Sequence, residues 1–347
     1  MGPKLIIRAP NHLGDCVMAL PMINETREVY PGATVSLLLP EGLADLFEGN
    51  PNLDQIIRIP TLHVHGMIAV MKIKDLLTPH QFDIGYILPP SFGAAASFKL
   101  GGVKERIGFI ADGRRLLLTK PLPLASPMNN QHRSVTYFDL LRRGSQTDLE
   151  YVDPKVFLAE EDTLKAAEIL AGHGIEHETP YVVVAFQSVA ESRRWGSTNY
   201  TELVRRLRKF HSLQTVLVGG ESDQRAGDQI VQDASVGAIN LSGKTTLRET
   251  SAIMAGAKLF IGNDSGPAHL AAAVGTPIVV LSGADDPKET SPIAKKKKLV
   301  YLAELECISC VKNKCPLKGD AFMRCMTDIT VDMVEGEIIR LLSERPS

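Results

Sequence analysis

The sequence contains no apolar run long enough to cross a bilayer, for which a helix needs roughly 20 residues. Its N-terminal apolar stretch, Leu5 to Ile7, is too short for the hydrophobic region of a signal peptide, and no cleavage site follows it. These absences argue against a membrane-spanning or secreted protein. We therefore expect a cytoplasmic protein whose five cysteines are mostly reduced or metal-bound.

An excess of charge of either sign is also absent. The formal net charge of the 347 residues is -2 at pH 7, which argues against a nucleic-acid partner. One local exception is the basic run from Lys295 to Lys298, which is either a solvated loop or a contact with an anionic membrane. The sequence has neither a G-x-G-x-x-G fingerprint nor a Walker A motif, which weakens an NAD-binding or P-loop interpretation.

Length and patterning predict an α/β protein of two domains, because 347 residues exceed the usual single core. Short apolar runs alternate with helical patterns, which is typical of doubly wound parallel sheets. The predicted strands lie at residues 5–7, 35–39, 56–59, 84–88, 181–185, 215–218, 238–240, 258–261 and 278–281. We place the domains at residues 1–165 and 166–347, with a final amphipathic helix, 330–343, that can pack back on the N-terminal domain.

The stretch from Asn263 to His269 is the most informative motif. It lies between a predicted strand and a predicted helix, so it is a polar turn at the carboxyl end of a strand. Free backbone N–H groups and the positive end of the helix dipole meet there, which suits a phosphate. Pro267 fits the first helical turn, and Asp264 places a carboxylate beside the anion site. The motif indicates an enzyme that acts on a nucleotide or a sugar phosphate.

A second loop, from Asn11 to Asp15, follows the first predicted strand. Ligands of open α/β sheets bind outside the carboxyl ends of the strands, and Gly14 allows a close approach of the backbone. Asp15 then opens a helix. From this segment alone, a helix cap explains Asp15 as well as a catalytic role does.

Two further loops follow strands in the second half. The loop that ends at Trp195 contains Ser188 and Arg193, which can offer a hydroxyl and a fixed positive charge to a diphosphate. The alternative is a surface loop with Trp195 as its packing anchor. The other loop begins at Gly219, and its Glu221 can accept hydrogen bonds from ribose hydroxyls.

The cysteines of the tail leave two interpretations open. Cys307 and Cys310 have the spacing of a zinc-binding pair, but Cys315 and Cys325 do not complete the usual paired pattern. A structural zinc site and a set of free thiols therefore explain the tail equally well.

Two arginines of the first half, Arg106 and Arg114, are also ambiguous. They either face an anionic acceptor or solvate a loop, and the sequence favours neither.

Together these motifs resemble glycosyltransferase family 9, the ADP-heptose:lipopolysaccharide heptosyltransferases, over most of the chain. The family's Gly-Asp loop, its basic segment before a tryptophan and its Asn-Asp-Ser-Gly signature correspond to Gly14-Asp15, Ser192–Trp195 and Asn263–His269. The cysteine-rich tail and the stretch from Arg106 to Arg114 look like the heptosyltransferase II branch. His12 replaces the tryptophan of many relatives, and Arg193 replaces a common lysine.

The resemblance implies a GT-B fold, in which two Rossmann-like domains face a cleft, and a metal-independent, cofactor-free, inverting transfer of heptose from ADP-heptose to the lipopolysaccharide inner core. Asp15 would be the general base. The implied donor-binding residues are Ser188, Arg193, Glu221, Asp264, Ser265, Gly266 and His269. The implied acceptor-binding residues, in the N-terminal domain, are Asn11, His12, Arg106 and Arg114.

Three points of function stay open at this stage. We expect a cytoplasmic protein, either free or in peripheral contact with the inner face of the inner membrane. A GT-B enzyme with a different nucleotide-sugar would show much the same motifs. A non-catalytic protein that binds glycans or nucleotides on this scaffold is the alternative from another class.

Overall fold

The computed structural model describes residues 2–60, 66–124, 131–176 and 178–344. The chain divides into two units, Met1–Phe157 and Leu158–Ser347. The boundary of 165/166 expected from the sequence lies inside a helix, Glu160–Ala171, which belongs to the second unit. Asp162 on that helix accepts from Arg248 Nε and Nη2 of the same unit, both at 2.6 Å, and this bidentate ion pair holds the helix there.

The N-terminal unit is built on one parallel sheet. Its strands are β1 (Lys4–Arg8), β2 (Thr34–Pro40), β3 (Gln55–Ile59), β4 (Ile84–Ile87), β5 (Glu105–Phe109) and β6 (Lys120–Leu122). Its helices are α1 (Leu13–Met18), α2 (Leu20–Val29), α3 (Gly66–Leu77), α4 (Phe92–Leu100) and α5 (Arg133–Ser145). The strand order is β3-β2-β1-β4-β5-β6, and every pairing is parallel.

The C-terminal unit repeats this plan. Its strands are β7 (Tyr181–Ala185), β8 (Gln214–Leu217), β9 (Ile239–Asn240), β10 (Leu259–Asn263), β11 (Ile278–Leu281) and β12 (Lys297–Val300). Its helices are α6 (Glu160–Ala171), α7 (Ser197–His211), α8 (Gln224–Ala234), α9 (Leu247–Ala255), α10 (Gly266–Ala273), α11 (Pro287–Thr290), α12 (Arg324–Thr327) and α13 (Val331–Ser343). The strand order is β12-β11-β10-β7-β8-β9, again all parallel.

Both sheets have the doubly wound order 3-2-1-4-5-6 when each is numbered from its own first strand. The predicted α/β architecture and all nine predicted strands are therefore confirmed. In this order the chain changes direction between β1 and β4 in the first sheet, and between β7 and β10 in the second. Loops at the carboxyl ends of these strand pairs form the crevice where such sheets bind ligands.

The strands are apolar because helices cover both faces of each sheet. All five residues of β7 and of β10 are buried, as expected for central strands of a parallel sheet. The last helix, α13, buries Val334, Ile338 and Leu341 in the core of its own unit, beside β11 and β12.

Candidate active site

Asp15 lies at the carboxyl edge of the first sheet, in the first turn of α1. It is the third residue of that helix and not its cap, which is His12. Its Oδ1 contacts Arg133 Nη1 at 3.1 Å and accepts from Tyr137 Oη at 3.4 Å. Both partners stand one turn apart on α5, so two neighbouring helices fix the carboxylate.

The contacts of Asp15 with Arg133 and Tyr137 both involve Oδ1, and the side chain is 20% exposed. A partly exposed carboxylate that is held through one oxygen can accept a proton from a bound hydroxyl through the other. Tyr137 cannot take that role in ionised form near neutral pH, because burial and the charge of Asp15 raise the pKa of its phenol well above 10.

Arg8, which the sequence did not single out, holds the rest of this loop through hydrogen bonds. Arg8 is the last residue of β1 and is buried, and its Nη2 donates to Asn11 Oδ1 at 2.5 Å while Nη1 donates to Ala9 O at 2.5 Å. Burial lowers the pKa of Arg8 to about 10. The bond to Arg8 fixes the orientation of the Asn11 side chain. His12 beside it is exposed and makes no side-chain capping bond.

The position of Arg114 does not favour the acceptor role predicted for it. Its side chain is fully buried, and its guanidinium donates to the carbonyls of Phe109 (2.9 Å), Ile87 (3.4 Å) and Pro89. Three carbonyl partners leave little of the group for a ligand. Arg114 instead joins the carboxyl ends of β4 and β5, and burial lowers its pKa to about 10.

Arg106 is also poorly placed for the acceptor. It is the second residue of β5, at the amino end of the strand, whereas ligands of such sheets bind at the carboxyl ends. Its guanidinium donates to the carbonyls of Leu117 (2.7 Å), Val103 (2.6 Å) and Lys104 (3.0 Å). It braces loops at the edge of the sheet that is remote from Asp15.

In the C-terminal unit, the turn after β10 has the geometry expected of an anion site. Ser265 caps α10 with an extended backbone (φ -157), and Gly266 and Pro267 begin the helix. The amides of Ser265 and Gly266 have no intrahelical acceptor, as at the start of any α-helix. Their N–H groups and the helix dipole therefore favour an anion at this end.

Asp264 lies directly before this turn and is buried. Its Oδ2 accepts from Ser282 Oγ at 3.0 Å. Burial, followed by the charge of Asp285, raises the pKa of Asp264 to about 7, against the lowering effect of Arg193 and Lys297. The carboxyl group can therefore both donate and accept hydrogen bonds near neutral pH.

Arg193 and Asp285 form an ion pair near this turn. Arg193 Nη2 lies 2.7 Å from Asp285 Oδ1, and the Asp285 side chain is only 8% exposed. The Nε of Arg193 is buried and has no hydrogen-bond partner within the described residues. One guanidinium nitrogen is thus held by Asp285, while the Arg193 side chain stays 28% exposed, so the charged group can still reach a bound oxyanion.

The loop that carries Arg193 is fixed at several points. Arg194 Nε donates to Ser188 O at 2.8 Å, and Ser192 Oγ donates to Lys312 O at 2.5 Å. Trp195 packs in the core, as the surface-loop alternative expected, and its Nε1 donates to Ile329 O at 2.7 Å. These bonds order the loop between β7 and α7.

Glu221 and His269 complete the predicted donor set. Glu221 is exposed in the turn after β8. The turn passes close to Gly243, where an added Cβ would lie 2.7 Å from Glu221 Cα, so that only glycine fits there. His269 is buried on α10, one turn after Ser265, and its backbone N–H donates to Ser265 O at 3.4 Å.

The topology brings most of the donor set together. Strands β7 and β10 are neighbours, so the Ser188–Arg193 loop and the Asp264–Gly266 turn leave adjacent carboxyl ends. Strand β11, which pairs with β10, adds Ser282 and Asp285. The sequence analysis missed these two, although their place just after a predicted strand is the signal that identified the other loops.

Residues 70–320 match the family model of glycosyltransferase family 9 (heptosyltransferase). The chain belongs to this family. It is therefore a glycosyltransferase by family, and the resemblance seen in its motifs is confirmed. Residues Arg193 and Asp264 to His269 lie inside the matched region, while Asp15 lies before it.

Individual relatives are similar to this protein over almost its whole length. Lipopolysaccharide heptosyltransferase 2 of Salmonella typhimurium is 26% identical, over 98% of this chain and 99% of the relative. Among solved structures, E. coli ADP-heptose lps heptosyltransferase II superimposes with a TM-score of 0.80 at 23% identity, covering 98% of both chains. A family 9 glycosyl transferase from Veillonella parvula gives a TM-score of 0.85 at 21% identity, covering 99% of this chain and 98% of the other. These structural likenesses support the two-unit GT-B type of fold.

The basic run from Lys295 to Lys298 is not a free loop. Lys297 and Lys298 begin β12. Lys297 Nζ donates to Ser291 Oγ (3.0 Å) and Pro292 O (2.9 Å), and burial lowers its pKa. Lys298 pairs with Glu344 at 2.5 Å. Two of the four lysines are thus used within the fold, which weakens the membrane interpretation of this run.

The four tail cysteines lie among the described residues and form no disulfide there, and Cys325 is buried. Its pKa rises to about 11, first through burial and then through the charges of the other three cysteines. Across the parts of the chain that the structure describes, no three His, Cys, Asp or Glu side chains are grouped to hold a metal ion. Over the same residues, none of the helices has the length and apolarity to span a bilayer.

Proposed function

We propose that this protein transfers a heptose from ADP-heptose to the inner core of lipopolysaccharide, with inversion at the anomeric carbon. The observation that carries the proposal is the anion site at the start of α10, with Arg193 and Asp264 beside it, in a chain of family 9. The names of the relatives supply the donor and the acceptor class.

The donor half of the reaction rests on the C-terminal unit. The diphosphate of ADP would accept from the amides of Ser265 and Gly266 and from the guanidinium of Arg193. Such prearranged donors stabilise the negative charge that develops on the departing ADP. The ribose would lie at Glu221, in the exposed turn after β8. Asp264, poised near pKa 7, would hydrogen-bond the hydroxyls of the sugar.

The acceptor half rests on the N-terminal unit. Asp15 would be the general base, with Oδ1 fixed by Arg133 and Oδ2 accepting the proton of the attacking hydroxyl. Asn11 and His12 stand in the same loop and would contact the acceptor sugar.

The place of action follows from the acceptor. We propose that the protein works in the cytoplasm, at the inner face of the inner membrane, as a peripheral and not an integral enzyme. A growing lipopolysaccharide core is anchored in that membrane, so the glycosyltransferase must reach its surface.

A donor panel tests the proposed reaction. The purified protein is incubated with a core acceptor that lacks the heptose and with ADP-heptose, ADP-glucose or a UDP-sugar, and both nucleotide release and product mass are measured. We expect turnover with ADP-heptose alone. Preferred turnover with a UDP-sugar would show a different donor, and ADP binding without turnover on any donor would show a non-catalytic binding protein. Asp148→Asn, an exposed carboxylate in the N-terminal unit, serves as the matched active control for variants of Asp15.

A further inference from the structure

The N-terminal unit exposes a set of large apolar side chains that its core does not use. We call it the apolar rim: Met67, Ile68 and Met71 on α3, Phe92 at the start of α4, and Leu116 on the 3-10 turn Arg114–Leu117. Met67 is 78% exposed and Leu116 is 88% exposed. Single exposed apolar residues are ordinary, but a group on neighbouring elements marks an interaction surface.

The helices of the rim lie side by side and point the same way. A Cβ on Gly93 would lie 3.3 Å from Val70 Cγ2, and one on Gly101 would lie 2.8 Å from Leu77 Cβ. The first turns of α3 and α4 are therefore neighbours, as are their last turns. This places Met67, Ile68, Met71 and Phe92 at one end of the helix pair.

The 3-10 turn joins the same end. Phe92 N donates to Asp112 Oδ2 at 2.8 Å, and Arg114 donates to Pro89 O. These bonds fasten the loop before Leu116 to the start of α4. Both helix starts and this turn follow strand ends, so the rim stands along the carboxyl edge of the sheet.

This edge is the one that carries the acceptor loop. Strands β1 and β4 are paired, and Leu88 N donates to Arg8 O at 3.1 Å just where the two strands end. The chain then runs from β1 into the Asn11–Asp15 loop and from β4 into Phe92. The rim therefore flanks the loop with the proposed general base.

Two exposed cations border the rim. Lys72 follows Met71 and Arg115 precedes Leu116, and both are exposed. Apolar side chains flanked by cations match an anionic lipid surface. Two copies of the chain that paired through this face would instead bring like charges together.

We propose that the apolar rim, with Lys72 and Arg115, docks the N-terminal unit on an anionic phospholipid surface. The inference rests on the proposed function, in which the acceptor is anchored in a membrane. Docking by this edge presents the Asp15 loop to sugars that project from the bilayer. The rim inserts its side chains at the level of the headgroups, and the cations contact lipid phosphates.

Vesicle co-sedimentation tests the docking without any substrate. The full-length protein is mixed with vesicles of phosphatidylethanolamine and phosphatidylglycerol, or of phosphatidylcholine alone. We expect binding to the anionic vesicles only. Met67→Gln/Ile68→Gln/Leu116→Gln should weaken it at least about tenfold, and Lys72→Glu/Arg115→Glu by a similar factor. The matched control is Leu164→Gln/Phe210→Gln, two exposed apolar residues of the C-terminal unit, and it should bind like wild type.

The outcomes separate the docking from the reaction. Equal binding by wild type and the rim variant, no binding by wild type, or a wild-type dimer that the rim variant abolishes would each overturn the proposal. The rim variant should keep its kcat/KM on a deacylated, soluble acceptor and lose it on an acceptor embedded in vesicles, which also shows that it is folded. A wild type that binds anionic vesicles through the rim but transfers no heptose would contradict the proposed function and leave the docking supported.

Discussion

The buried carboxyl of Asp264 gives the protein a pH-dependent stability that one substitution removes. Its pKa is about 7 in the folded chain, against an ordinary value of 3.8, because it is buried and lies near Asp285. Between these two values the folded state holds a proton that the unfolded state has released. Stability should therefore be highest below pH 4 as far as this group is concerned, and should fall as the pH rises to about 7.

The size of the effect follows from the shift. Three pH units at about 1.4 kcal/mol each give a penalty of about 4 kcal/mol above pH 7, where both states are ionised. Asp264→Asn cannot ionise, yet its amide oxygen can still accept from Ser282. We expect the variant to be more stable than wild type at pH 8, by up to about 4 kcal/mol, and to differ little at pH 4.

Urea unfolding of wild type and Asp264→Asn at pH 4 and pH 8, followed by fluorescence of the buried Trp195 in the same unit, measures this difference. Asp320→Asn, an exposed carboxylate of the C-terminal unit, is the control and should follow wild type at both values. Parallel pH dependences of wild type and Asp264→Asn would refute the reasoning, since they would mean that the carboxyl is ionised and compensated throughout.

Three further substitutions test single parts of the site. Arg193→Ala should weaken ADP binding roughly 10- to 100-fold in calorimetry, with partial recovery in Arg193→Lys, because it removes a charged hydrogen-bond donor; wild-type affinity in the alanine variant would take Arg193 out of the site. Asp264→Asn should raise the KM for ADP-heptose more than that for the acceptor, and equal rises would point to a distorted fold. Arg114→Met should lower the free energy of unfolding by about 2–4 kcal/mol, because it leaves three carbonyls unpaired, and should spare the acceptor KM. A changed acceptor KM at unchanged stability would restore the role predicted from the sequence.

The sequence predicted the sheets well because buried parallel strands are short apolar runs, and the loops after them followed from one topological rule. The missing strands show the limit of that signal. Strand β5 reads Glu-Arg-Ile-Gly-Phe, and β6 has three half-buried residues at a sheet edge, so neither forms a clean apolar run. Strand β12 begins inside the basic run, so it does not form a clean apolar run either; Lys297 there is half-buried, and its Nζ donates to Ser291 and Pro292.

The arginines show why a site cannot be predicted from residue type alone. The side chains of Arg114 and Arg8 are both buried near the carboxyl ends of strands. The role of a guanidinium there depends on which carbonyls it can reach. The guanidinium of Arg114 donates to three carbonyls, whereas one nitrogen of Arg8 donates to Asn11 and orients it. Pro89 and Ile87, two of the three partners of Arg114, lie 25 and 27 residues away in the sequence, so no local pattern predicts them. Asp285, in contrast, lies in the loop that follows β11. The rule that identified Asp264, which looks for polar residues after a predicted strand, could also have identified Asp285.

The measurement that tests the account most directly is heptosyl transfer by Asp15→Asn. Single-turnover rates with ADP-heptose and a core acceptor are compared for wild type, Asp15→Asn and the Asp148→Asn control, alongside ADP affinity. We expect a rate at least about a hundredfold lower in Asp15→Asn, with ADP affinity unchanged and the control at the wild-type rate. A wild-type rate in Asp15→Asn would contradict the assignment of Asp15 as the general base.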